Sequence, residues 1–359
     1  MAPTIGIDAR ELLGATTGVG RYLGELLSRW TARPDAGNRR LKLYTPEPLP
    51  EEVSAGAEIR LVPGGRGTSW EQLALRTAVN ADAPDVFFAP AYTAPLGLKM
   101  PYAVTVHDVS FCAQPEWFRR REGLRRRWLT RRAARMAQRV FTDSQFSRSE
   151  LEKHLALPAA KIEVIYPGFT PRPHPPTKRE RIVLFAGSLF NRRRLPDVIA
   201  AFALASRGLP TSRLIIVGED RTWPPQDLSA VAAAHGVSGR TELRSYISDE
   251  ELASLYARAA VFVFLSEYEG FGLTPLEALA AGTPVIVLDT SVAREVYGDA
   301  VNYVARGDLD GTAEAIARRL AAPAAPDPHL ANAPSVLGRY SWDATADSTL
   351  SSIEALVRR

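Results

Sequence analysis

The residues best placed to do chemistry lie in SEYEGFGLTPLEALAAGTPVIVL, 266–288. An apolar run, VFVFL at 261–265, leads into a loop carrying Gly270 and Gly272, and a helix is expected to open at Thr274. Thr274 to Glu277 has the S/T-x-x-E spacing of a capping box, and Pro275 falls at the first helical position, where its missing N–H costs nothing. The free N–H groups and dipole of such a helix point back at the glycine loop, whose bare backbone admits a ligand closely; a phosphate or diphosphate suits that field. Two carboxylates, Glu269 and Glu277, flank the loop. An acid just before an anion site repels the ligand unless it has another partner, and for an acceptor-only carboxylate the hydroxyls of a sugar are the obvious one. Glu277 also has a plainer reading as the capping-box carboxylate.

Other candidates are scattered. GSLFNRRRL at 187–195 places Arg192, Arg193 and Arg194 after a strand, a short charge run whose plain reading is a solvated turn. His107-Asp108 closes the strand YAVTV, at the end where parallel sheets present ligand-facing residues; a lone histidine is more often structural. Gly18-Val19-Gly20 follows the first strand and precedes a helix, which permits close backbone approach. Asp308-Leu309-Asp310 superficially offers a metal-binding DxD, but acids in the first turn of the helix-like GTAEAIARRL explain it. No other cluster has metal-ligand spacing, so metal-independent chemistry without a cofactor is expected. The lone Cys112 excludes a disulfide framework and fits a reducing compartment.

Short β-rich runs alternate with stretches of helical period along all 359 residues, the pattern of parallel sheets wound with helices. Candidate strands are 4–8, 41–45, 58–62, 85–89, 102–106, 139–143 and 161–165, then 181–187, 213–218, 241–245, 261–265 and 283–288. Between the groups YPGFTPRPHPPTKRER carries five prolines and reads as a linker. The expected organisation is an α/β chain of two Rossmann-like, doubly wound domains facing a cleft: 1–168, a linker at 169–180, and 181–340. A final helix, 341–359, follows, with Ser341 as its N-cap. The longest apolar run is seven residues, AAVFVFL at 259–265, so neither a signal peptide nor a membrane-spanning helix is expected.

The Glu269-x7-Glu277 spacing within EGFGLTPLEALAAGTPVI resembles the E-x7-E motif of retaining glycosyltransferases of family 4, which have the GT-B fold. The resemblance continues through GIDARELLGATTGVGRYL at 6–23, VTVHDVSF at 104–111, TDSQFSRSEL at 142–151, IEVIYPGF at 162–169, LFAGSLFNRRRLPDVIAAF at 184–202, LIIVGED at 214–220 and ISDEELASLYARA at 247–259. The closest branch is that of mannosyl- and rhamnosyltransferases building bacterial polysaccharides, and the final helix is similar to the one that crosses back to the N-terminal domain. The resemblance implies transfer of a hexose, with retention, from a nucleoside diphosphate sugar to a hydroxyl of a glycan or lipid-linked acceptor; GDP-mannose is the donor it suggests. It implies that Glu269 contacts the donor sugar, that the backbone of Gly270, Phe271, Gly272 and Leu273 cradles sugar and diphosphate, and that Glu277 reaches the ribose. Arg192 and Arg193 stand where the family commonly has Arg-Lys, so the diphosphate role carries over while the geometry differs. Gly187 and Gly18 join the donor site, and His107 contacts the sugar from the N-terminal domain, making Glu269, His107 and Arg193 the catalytic set. A UDP- or dTDP-sugar donor, or a nucleotide-sugar epimerase on the same architecture, are the alternatives.

The net charge of +4 is uneven. Residues 119–139 hold ten arginines against one acid, Glu122; that makes +9 and leaves −5 for the rest. FRRREGLRRRWLTRRAARMAQRV has helical period, with Phe118, Leu124, Trp128, Leu129, Ala133, Met136 and Val140 available for an apolar face. It reads either as an interfacial helix on anionic lipid, where a lipid-linked acceptor would sit, or as a solvated flank with arginine stems over apolar surface. Charge alone would permit nucleic acid, but no reading helix or stacking platform accompanies it, so none is expected. The implied location is cytoplasmic, peripheral on the inner membrane face in the first case.

Overall fold

The computed structural model describes residues 2–14, 18–50, 56–171 and 177–357. They fall into two compact units, the first Met1–Ala113, Arg121–Gly168 and Ser341–Arg359, the second Gln114–Arg120 and Phe169–Tyr340. Gln114–Arg120 thus groups with the second unit although it lies inside 1–168, and there the Arg119 guanidinium sits 4.9 Å from the Trp223 ring centroid. Of the Pro-rich segment, 172–176 lies outside the described residues.

In the first unit seven parallel strands follow the spatial order β3-β2-β1-β4-β5-β6-β7: β1 (Thr4–Asp8), β2 (Arg40–Thr45), β3 (Glu58–Leu61), β4 (Val86–Ala89), β5 (Tyr102–Thr105), β6 (Arg139–Thr142) and β7 (Ile162–Val164). VFFA and YAVT are buried along their whole length, because helices cover both faces of a parallel sheet and leave no polar side. The helices are α1 (Gly18–Ala32), α2 (Arg76–Asp82), α3 (Ser110–Ala113), α4 (Arg120–Met136) and α5 (Gln145–Leu155). The strand order reverses between β1 and β4, where open sheets place ligands. Arg10 there lies 3.0 Å from Asp8 and 3.1 Å from Glu71, which sits on a π-helical turn, Trp70–Leu75; burial pushes the Asp8 carboxyl up to about 6.

The second unit has six parallel strands in the order β10-β9-β8-β11-β12-β13: β8 (Glu180–Ala186), β9 (Arg213–Val217), β10 (Thr241–Arg244), β11 (Ala259–Phe264), β12 (Val285–Leu288) and β13 (Asn302–Val304). The expected strands are all present; β13 is an addition, a three-residue edge strand too short to carry a pattern. Its helices are α6 (Leu195–Ala205), α7 (Leu228–Ala234), α8 (Asp249–Arg258), α9 (Leu273–Ala280), α10 (Ser291–Tyr297), α11 (Leu309–Ala321) and α12 (Ala333–Leu337). Ser248 and Thr290 cap α8 and α10 by accepting from Glu251 N and Ala293 N. Asp308 caps α11 by accepting from Gly311 N, so the DxD acids serve a helix start. Here the strand order reverses between β8 and β11.

The last helix, α13 (Trp342–Val357), belongs to the first unit. Trp342, Ala346, Leu350 and Ile353 make one buried stripe against Ile5, Ile7, Leu23 and Trp30, and Trp30 Nε1 donates to Ala346 O at 2.9 Å. Ser341 Oγ accepts from Ala344 N at 3.4 Å, as an N-cap does.

The arginine-rich stretch forms α4, but its apolar residues do not share one face. Leu129 and Ala133 are buried, whereas Leu124 and Trp128 are 59% and 62% exposed. At 3.6 residues per turn neighbours stand about 100° apart, and here that step takes the chain from the outward Trp128 to the inward Leu129. The outer face that carries Leu124 and Trp128 also carries Arg120, Arg121, Arg125, Arg131, Arg132 and Arg135, all exposed. Among the described residues no helix is long and apolar enough to cross a membrane.

Candidate active site

The site is built at the strand-order reversal of the second sheet, from the segments that follow β8 and β11. After Ala186 the chain turns at Gly187, whose φ of +130° is open to glycine, and a Cβ there would collide with the Arg193 guanidinium. A short 3₁₀ turn, Asn191–Arg193, then delivers two arginines. Arg193 donates from Nε to Glu269 Oε1 at 3.1 Å and from an Nη to Ser188 O at 2.7 Å, with Phe264 5.1 Å below its guanidinium. Arg192 stacks on Phe190 at 4.2 Å; its Nε is buried without a hydrogen-bond partner, 3.8 Å from Glu269 Oε1. Burial lowers the Arg193 pKa, and Glu269 offsets part of that.

Glu269 is the convergence point. Its Oε1 also accepts from Ser266 Oγ at 2.8 Å. Burial alone would raise its pKa, but Arg193 and Arg192 overcome that and hold it below the usual carboxylate range. The partner that the acid before the anion site requires is therefore the arginine pair, and the three side chains leave a net +1. Beside them Arg194, in the left-handed region at φ +49°, pairs with Asp197 and Glu267, and Arg306 lies 3.1 Å from Glu267.

The helix behind the glycine loop begins differently from the capping-box expectation. α9 starts at Leu273, its N-cap is Gly272 at φ +91°, and no side chain caps it. Thr274 is inside the helix with its Oγ1 buried and unbonded, and Pro275 is at the third position rather than the first. Glycine's left-handed conformation brings the chain into the helix two residues early, so the Thr274–Glu277 spacing has no cap to make. Glu277 is buried and accepts from Tyr256 Oη at 3.1 Å. Tyr297 Oη donates to Gly272 O at 2.9 Å and lies 3.4 Å from Phe271 O.

Glu269 thus meets both Arg192 and Arg193, with Gly187 against the Arg193 guanidinium, next along the chain to Gly270, Phe271, Gly272 and Leu273. Glu277 lies a helical turn further on, against α8. Gly18 and His107 belong to the first unit. Gly18 opens α1, and Tyr22 on that helix meets His107 edge-on with centroids 5.2 Å apart. His107 Nε2 faces Pro90 O at 2.9 Å and Nδ1 faces Asp143 at 2.8 Å. A carbonyl only accepts, so Nε2 carries a proton. Burial disfavours the imidazolium, but Asp143 and Pro90 O outweigh it and the pKa is raised. Asp108 accepts from Tyr92 Oη at 3.0 Å and Ser110 N at 2.8 Å.

Ser266, Tyr256, Tyr297 and Asp143 escaped the sequence reading. Only Ser266 lies within three residues of a recognised one; Tyr256 and Tyr297 reach the second-unit site from separate elements, and Asp143 meets His107 within the first unit. Among the described residues no three His, Cys, Asp or Glu side chains gather into a metal-binding group.

The chain matches the family model described as Glycosyltransferase Family 4 over residues 16–173 and that described as Glycosyl transferases group 1 over residues 169–332. It is 30% identical over 243 residues to a D-inositol 3-phosphate glycosyltransferase of Segniliparus rotundus, covering 61% of this chain and 53% of the relative. It is 31% identical over 169 residues to a GDP-mannose:cellobiosyl-diphosphopolyprenol alpha-mannosyltransferase of Komagataeibacter xylinus, covering 46% and 43%. The chain spans about half the length of these curated relatives. Among solved structures, WaaG, a glycosyltransferase involved in lipopolysaccharide biosynthesis, aligns over 98% of this chain and 99% of its own at a TM-score of 0.74 and 17% identity, so the fold is GT-B. Two family models, meeting end to end where the two sheets meet in the sequence, place this chain among the family 4 glycosyltransferases.

Proposed function

We propose that the protein moves a hexose, mannose from GDP-mannose in the first instance, to a hydroxyl of a glycan or lipid-linked acceptor, with retention of anomeric configuration and without a metal. The observation that carries the proposal is the meeting of Arg192, Arg193 and Glu269 where strand order reverses, beside a glycine loop that opens a helix. The named mannosyltransferase relative supports the donor and the lipid-linked acceptor.

In this reading the diphosphate lies against the two guanidinium groups and the N–H groups of Gly272 and Leu273. As the bond from anomeric carbon to phosphate oxygen breaks, the developing charge meets donors already in place. Glu269 Oε1 is held by Ser266 and Arg193, which leaves Oε2 for sugar hydroxyls, and Glu277 takes the ribose. Double displacement needs a free carboxylate under the anomeric carbon. Glu269 is ion-paired and both Asp108 oxygens accept hydrogen bonds, which supports a front-face route. There the acceptor oxygen bonds to the anomeric carbon on the side the phosphate leaves, and its proton passes to the departing phosphate. His107 is kept in the catalytic set as an imidazole oriented by Asp143 and Pro90 O.

We also assign α4 to an anionic membrane surface, because Leu124 and Trp128 project from the middle of its arginine face. The enzyme would then work at the cytoplasmic side of the membrane, where a lipid-linked acceptor is presented. Transfer is tested by incubating GDP-mannose, UDP-glucose and a dTDP-sugar with lipid-linked acceptors and reading the product anomer by NMR. A retained anomer supports the proposal. An inverted anomer, or a new epimer formed from the nucleotide sugar alone, overturns it.

A further inference from the structure

Tyr297 ends α10, 25 residues from the glycine loop in sequence and on the far side of β12. It is nonetheless fully inside the site: 2% exposed, with its hydroxyl 2.9 Å from Gly272 O and 3.4 Å from Phe271 O. A Cβ on Gly272 would collide with that same oxygen, so the phenol occupies the space that glycine leaves. Across a trans peptide the C=O and N–H point in opposite directions. The Phe271–Gly272 and Gly272–Leu273 peptides, whose carbonyls are drawn to Tyr297, therefore turn the N–H groups of Gly272 and Leu273 away from it. Those are the two N–H groups at the helix start that an anion would meet first.

We infer that Tyr297 is a positioning residue for diphosphate recognition: its single O–H holds the Gly272 carbonyl, with the Phe271 carbonyl as a longer second acceptor, and so aims the Leu273 N–H, and with it that of Gly272, at the ligand. Burial, and then the nearby charge of Glu269, push its pKa well above the ordinary value, so the hydroxyl keeps the proton it donates. Gly272 alone cannot supply this fixity. The glycine that permits φ +91° permits many other conformations equally well, and without the phenol the loop samples them.

The inference rests on the donor-site reading above, and the test separates the two. Binding of GDP, GMP, UDP and UMP to wild type, Y297F and R193A is measured by calorimetry. In wild type one diphosphate binds more tightly than its own monophosphate, and that ratio isolates the β-phosphate. Y297F lowers the ratio roughly tenfold, in line with one oriented hydrogen bond, while monophosphate affinity is unchanged. A Y297F protein that keeps the ratio, or that loses mono- and diphosphate affinity equally, overturns the role of Tyr297. If R193A keeps the ratio, or no diphosphate binds to wild type, the donor-site reading itself falls.

Discussion

Replacing Glu269 by Gln separates what the carboxylate does for the fold from what it does for the sugar. Gln has nearly the same shape and keeps an oxygen for Ser266 Oγ and Arg193 Nε, now 2.8 and 3.1 Å away. What goes is the charge. Removing one partner of a buried ion pair costs about 3–5 kcal/mol, and the retained hydrogen bonds place this variant near or below the lower end, about 2–3 kcal/mol. For a unit of this size that is a fall of roughly 4–12 °C in Tm. The nucleotide should respond in the opposite sense. With Glu269 neutral the cluster carries the charge of both arginines uncompensated, so nucleoside diphosphate affinity is held or rises. Transfer falls instead: a hydrogen bond to a charged acceptor is worth about 1.5–3 kcal/mol, or roughly 10- to 150-fold in kcat/KM, if Glu269 meets sugar hydroxyls. Thermal unfolding, diphosphate titration and initial rates on one preparation give all three numbers. Near-normal kcat/KM would refute the sugar contact, and a loss of diphosphate affinity matching the loss of rate would show that Glu269 only organises the arginines.

Other perturbations probe separate parts. G187A forces an alanine to φ +130° and against Arg193, and strain of about 1–3 kcal/mol should appear as a lowered Tm together with weakened diphosphate binding. His107 has its pKa raised above the ordinary 6.5, so its pairing with Asp143 adds stability below that pH and the benefit is lost as pH rises through the folded-state pKa. The Tm difference between wild type and H107Q should accordingly shrink with increasing pH across that range; a flat or growing difference contradicts the charged pair. W128A and an R121E/R125E double variant should each lower co-sedimentation with anionic vesicles at low salt, leaving neutral vesicles unbound throughout. Equal binding of wild type and variants removes the membrane assignment of α4. Y256F should raise the nucleotide-sugar KM severalfold with little change in kcat, since Tyr256 touches Glu277 and not the reacting centre.

The sequence made the strands legible because parallel strands are buried on both faces and read as unbroken apolar runs, as AAVFVF and VFFA do. β13 escaped because three edge residues, two of them only half-buried, carry no such run. The arginines, glycines and acids of the site were legible as types at characteristic spacings. Their partners were not: Tyr297 to Gly272 and Tyr256 to Glu277 join residues 25 and 21 apart, on separate elements, and nothing local marks them. The capping box failed for a related reason. TPLE has the required spacing, but the backbone of Gly272, not the side chain of Thr274, decides where α9 begins. At SDEE the same pattern does form a cap, because Ser248 has the extended backbone a cap needs. On α4, counting apolar residues without their angles merged two faces into one.

The central claim is that Arg192, Arg193, Glu269 and the glycine loop bind a nucleoside diphosphate sugar. Thermal unfolding with a panel of GDP-, UDP- and dTDP-sugars tests it without an acceptor. At about 100 times Kd a bound donor adds about 2.7 kcal/mol, roughly 5–11 °C in Tm for a unit of this size. The account predicts that one base series gives a shift of this order and that R193A abolishes it. A panel with no shift in wild type, or an equal shift in R193A, would contradict it.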